Sequence, residues 1–128
     1  MSAQTLLSTG DKWFSYSGSV FGDVSAPATI QLNFIPNTGL RDSYVQIQPF
    51  YGDPIIGTAN TALGIEVKLN DVTIIKQQSD RYSYGNESTV PNAFVLFIPR
   101  QSKLEVISLN RTDNNTQERG CNILGYYL

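Results

Sequence analysis

Glu66 and Glu105 are the two residues of this chain whose type and setting come nearest to catalysis, since each lies in a segment that alternates like a β-strand. Two carboxylates facing one cleft would serve glycoside hydrolysis, one protonating the leaving oxygen while the other activates water or attacks the sugar. Their neighbours argue for something plainer. Glu66 alternates with Gly64 and Lys68, and Glu105 lies two residues from Lys103, which is the pattern of a solvated strand face. Both are expected to be surface charge.

A second cluster, Asp113-Asn114-Asn115-Thr116-Gln117-Glu118, is rich in the oxygen ligands that calcium accepts. It lacks the glycine and the spacing of an EF-hand loop, and Asn and Asp favour turns in any case. No metal and no cofactor is expected. The rest of the composition points the same way. There is no histidine, and Cys121 is the single cysteine, so the usual general base and the usual zinc ligands are missing. No glycine-rich phosphate loop or recognisable nucleophile motif is present. The expectation is a protein that is not an enzyme.

Four residues could form a contact surface: Tyr51 in one long loop, and Arg81, Tyr82 and Tyr84 in another spanning 79–89. Rings with a polar tip suit sugar stacking or protein contact, and they equally cap the ends of a core. A glycan is the ligand such a surface would take. Nucleic acid is not expected as a partner. Nine Lys and Arg are spread singly against eleven Asp and Glu, a net charge of -2 with no basic patch.

No membrane segment is read either. The longest apolar run, 93–98, is far too short to span a bilayer. The opening residues lack the basic region of a secretion signal, so synthesis in the cytoplasm without a signal peptide is expected. A lone cysteine fits a reducing compartment. The Asn-x-Ser/Thr sites at Asn86, Asn110 and Asn114 are read as chance in a chain rich in these residues.

The elements that must position any site are strands. Ile30, Leu32 and Phe34 alternate with Thr29, Gln31 and Asn33, giving one buried face over 28–35. Val45 and Ile47 alternate with Tyr44, Gln46 and Gln48. Leu63, Ile65, Val67 and Leu69 do so with Gly64, Glu66 and Lys68, and Asn70-Asp71 then suits a two-residue hairpin into 72–78. Further strands are expected over 13–21, 93–98, 103–109 and 121–128. Most prolines fall between strands, while Pro49 near a strand end suggests an edge or a bulge. The organisation is an N-terminal arm over 1–12 and a β-sandwich domain over 13–128. About eight antiparallel strands with no long helix favour a jelly roll over an immunoglobulin-like sandwich.

Two late strands are apolar on both faces. Phe94, Leu96 and Ile98 oppose Ala93, Val95 and Phe97, and in the last strand Cys121, Ile123 and Tyr127 oppose Leu124, Tyr126 and Leu128. Such strands need a second cover, from a neighbouring subunit or from the stretch 50–62 folding back as a loop. The subunit reading makes Leu96, Phe97, Leu124, Tyr126 and Leu128 an oligomer interface.

Phe34-Ile35-Pro36 and Phe97-Ile98-Pro99 end two strands alike, and the closing strand runs from Cys121 to Leu128. On these features the chain resembles the small β-sandwich decoration and minor structural proteins of tailed-phage virions. That resemblance implies a non-enzymatic, virion-located protein that stabilises a capsid. Its partners would be copies of itself, in trimers, and the major capsid or other virion proteins.

Overall fold

Alternating apolar and polar residues build ten strands in the computed structural model, which describes residues 7–18, 20–21, 28–54, 61–81, 93–110 and 117–128. They are β1 (Leu7–Thr9), β2 (Lys12–Tyr16), β3 (Val20–Phe21), β4 (Ala28–Ile35), β5 (Ser43–Pro54), β6 (Thr61–Leu69), β7 (Val72–Arg81), β8 (Phe94–Ile98), β9 (Leu104–Asn110) and β10 (Gln117–Tyr127). No helix occurs among the described residues.

A first sheet has the order β1-β2-β10-β5-β8, with β3 also paired to β10, and a second has the order β4-β9-β6-β7. Setting aside the short β1 and β3, the antiparallel pairs β2·β10, β4·β9, β5·β8 and β6·β7 form one long ribbon whose tip is the β6–β7 turn. Folding that ribbon over itself adds β5·β10 and β6·β9, which is the wiring of a jelly roll.

The core lies between the sheets. Trp13, Val45, Ile47, Ile98, Cys121 and Ile123 come from the first, and Leu32, Ile35, Ile65, Val67, Leu104 and Val106 from the second. Each large apolar side chain so buried contributes about 1.5–3 kcal/mol. At the ribbon tip Asn70 and Asp71 take φ of 51° and 69°, the two positive values a type I′ hairpin turn demands. The turn is anchored from outside: the Lys103 N–H donates to Asn70 Oδ1 (2.8 Å), and the Lys103 ammonium pairs with Asp71.

The two Phe-Ile-Pro turns pack against each other. The Thr38 N–H donates to the Ser102 carbonyl (2.9 Å), and the Gln101 N–H to the Gly39 carbonyl (2.7 Å). Ile35 and Ile98 are both buried just before their prolines.

Three expectations from the alternation need correction. In β4 the register shifts between Gln31 and Asn33, so Leu32 is an extra residue. Past this bulge the faces exchange: Asn33 and Ile35 point inward and Phe34 outward. Asn33 Nδ2 then donates to Ser15 Oγ (3.2 Å) and to the Cys121 carbonyl (3.3 Å) inside the sandwich. The strand expected over 13–21 is broken at Gly18, whose φ is +69°. There Ser17 bridges to β10, its Oγ accepting from the Cys121 N–H at 2.8 Å. Of the stretch 50–62, residues 50–54 prolong β5 and 61–62 open β6, so these seven form strand rather than loop; residues 55–60 are not among those described.

Pro49 lies inside β5, opposite Cys121 of β10. The described pairing with β8 ends earlier, at Ile47 and Phe94, so among the described residues the proline has a partner strand on the β10 side alone. From Leu7 onward the expected arm belongs to the first sheet, since Leu7–Thr9 pairs with β2 around Gly10.

Candidate functional site

Strands that alternate send every second side chain away from the core, and in the first sheet those side chains form three rows. The lowest row runs Lys12, Tyr126, Tyr44, Phe97 across β2, β10, β5 and β8. Above it lie Phe14, Leu124, Gln46 and Val95, and above those Tyr16, Asn122 and Gln48. Lys12 carries the only charge in the three rows.

These apolar groups face water. Val95 is 71% exposed, Tyr16 52%, Tyr44 and Phe97 50% each, and Tyr126 42%. Tyr44 and Phe97 meet edge to face with centroids 5.9 Å apart, an arrangement that holds both rings upright on the sheet. The Lys12 ammonium lies 5.6 Å from the Tyr126 ring centre, where the ring's negative face attracts it. On the β2 side the rows enclose a depression of about 260 Å³ lined by Phe14, Tyr16, Gln46, Gln48, Asn122, Ile123 and Leu124.

The outer face of the second sheet is built to be wetted. Glu105 stands opposite Lys68, and Glu66 opposite Lys76, so charges of opposite sign meet across neighbouring strands. Glu105 also accepts from Gln31 Nε2 at 3.0 Å, and Glu66 from the Thr73 hydroxyl. The two glutamates therefore share a charged, solvated face rather than a cleft. Among the described residues no three potential metal ligands converge.

Of the expected interface residues, Phe97, Tyr126 and Leu128 are exposed, the first two in one row. Leu124 is half-buried in the depression. Leu96 points the other way, packed against the core beside Phe94. Tyr51 lies within β5 opposite Arg119, and Arg81 ends β7 opposite Thr61, so both belong to strands instead of loops. Tyr82, Tyr84 and residues 111–116 lie outside the described residues. Sequence reasoning missed Phe14, Tyr16 and Tyr44 as members of the face. Lys12-Phe14-Tyr16 does alternate, but only the strand order reveals that β2 adjoins β10.

No family model matches the chain, and no curated protein matches it in sequence. Solved structures do match. A chain in the structure of infectious bursal disease virus, Gx strain, superposes with a TM-score of 0.55 at 9% identity, covering 91% of this chain and 32% of its own length. The likeness is one of fold. VP2 in the subviral particle of the same virus gives a TM-score of 0.48 at 12% identity with the same coverage. This chain spans about a third of the viral chains it matches.

Proposed function

We propose that this jelly roll is a non-enzymatic structural protein of a virus particle, joined to copies of itself through the outer face of the first sheet. One observation carries the reading: three rows of that face expose Tyr44, Val95, Phe97 and Tyr126 with a single charge, while the outer face of the second sheet carries Glu66, Glu105, Lys68 and Lys76. A lone soluble domain rarely leaves so contiguous an apolar patch to water, and aromatic side chains dominate the buried centre of protein interfaces. The fold it shares with a chain of a virus particle supports the virion setting. In that setting the protein decorates and stabilises a capsid lattice, its partners are major capsid or other virion proteins, and a trimer is its working unit.

Light scattering over a concentration series tests the reading. A trimer has three times the 14.2 kDa of the chain. Phe97→Asp and Tyr126→Asp should leave the strand spectrum intact and dissociate the assembly, because each buries an unpaired charge in the contact. Lys76→Asp, on the other sheet, should leave the mass unchanged. An assembly mass indifferent to all three substitutions, or a wild-type protein monomeric at every concentration, would overturn it.

A further inference from the structure

The depression on the β2 side of the face differs in chemistry from the apolar stripe beside β8. Its walls are two rings, three amides, Leu124 and Ile123, with the outward side chains arranged by the register as Tyr16-Asn122-Gln48 above Phe14-Leu124-Gln46, and its lining is mostly apolar. The rings of Phe14 and Tyr16 are within 21° of parallel, with centroids 6.2 Å apart. None of the seven lining residues carries a charge. Lys12, the cation of the three rows, is turned over the Tyr126 ring.

We propose that this depression binds a neutral pyranose sugar of a glycan. A pyranose has an apolar face of C–H groups and a rim of hydroxyls, each at once donor and acceptor. Aromatic rings take the first, and amides, which offer both donors and an acceptor from one group, take the second. The side chains of Gln46 and Asn122 are exposed and make no hydrogen bond among the described residues, so no internal bond is lost on binding. Gln48 Nε2 donates to the Pro49 carbonyl at 2.9 Å, which fixes its Oε1 as an acceptor for a sugar hydroxyl. A phosphorylated, sulfated or sialylated ligand would find no cation in the lining. A volume of about 260 Å³ falls just below the range of drug-sized ligand pockets, enough for one or two sugar rings. The depression lies on the same face as Phe97, Val95 and Tyr44 but towards β2, so the inference rests on a self-association centred on the β8 side.

The test is an amide-shift titration of the full chain with lactose, maltose and chitobiose, and with sialyllactose as a charged comparison. A neutral disaccharide should give saturable shifts centred on Phe14, Tyr16, Gln46 and Asn122, stronger than the sialylated sugar. Tyr16→Ala and Asn122→Ala, both exposed positions, should each weaken binding about tenfold, whereas Tyr16→Phe should keep it within about threefold. Phe97→Asp should bind as the wild type does, which separates loss of assembly from loss of the sugar site. No saturable shift with any of the three neutral disaccharides overturns the proposal. So does saturation mapping to another surface, or binding unchanged in both alanine variants.

Discussion

Trp13 and Gly125 stand opposite each other across the β2–β10 ladder, and the indole occupies the space a side chain at Gly125 would need. A Cβ there would come within 2.2 Å of Trp13 Nε1 and Cε2. The glycine is required by close approach: it lets the largest buried side chain of the core lie against the backbone of the central strand. Gly125→Ala should therefore destabilise the fold by about 1–3 kcal/mol, the usual cost of overpacking. Urea unfolding followed by the fluorescence of Trp13, the chain's single tryptophan, measures it. A variant as stable as the wild type would show that the ring can move aside.

Asn33 holds the two sheets together by a different means. Its amide nitrogen reaches Ser15 on β2 and the Cys121 carbonyl on β10, both in the sheet opposite its own. Asn33→Ala removes that donor and leaves the buried Ser15 hydroxyl without it, while the Cys121 carbonyl keeps the Ser17 N–H (3.1 Å), at a cost of about 1–3 kcal/mol. The same unfolding experiment reads it. A loss below half a kcal/mol, roughly the uncertainty of a surface substitution, would mean water replaces the amide.

These two residues also mark how far the sequence can be read. Period-2 alternation is a local signal, and it places β4, β6, β8 and β9 within two residues of their observed ends, along with the positive-φ turn at Asn70-Asp71. It fails where one residue breaks the period. The extra Leu32 turns Asn33 inward, and the positive φ of Gly18 cuts one expected strand in two. Arg119 is hidden for a related reason. Its guanidinium is buried and donates to Ser108 Oγ (3.1 Å) across the sandwich, while its strand neighbours give no sign that the position faces inward. The outer face was half legible. Val95, Phe97, Leu124 and Tyr126 stand out because their strands are apolar on both sides, but Phe14, Tyr16 and Tyr44 join them only through long-range pairing.

Cys121 sits in the core with no solvent exposure, and burial pushes its thiol far above the ordinary range because the thiolate would lose its hydration. The native protein should therefore react with a disulfide reagent only as fast as the sandwich opens, since the thiolate is the nucleophile. The measurement is the labelling rate with and without denaturant at one pH. Native labelling at the rate of the unfolded chain would show the thiol to be accessible.

Asp42 couples stability to acid. Its carboxylate accepts from the Arg100 N–H at 2.8 Å and from the Arg100 guanidinium at 3.3 Å, tying the start of β5 to the turn after β8. The backbone bond is the larger cause, and together they hold the carboxyl below its ordinary value of 3.8. A group more acidic in the folded chain than in the unfolded one stabilises the fold above its unfolded value, and that contribution fades as pH falls through the folded value. Asp42→Asn keeps an oxygen for the backbone N–H but loses the charge. Its deficit against the wild type should be full at about pH 5 and shrink towards about pH 2. Thermal unfolding of both proteins across that window checks the sign. A deficit that stays constant, or grows as acid is added, would show that the hydrogen-bonded carboxylate is not what links these two turns to pH.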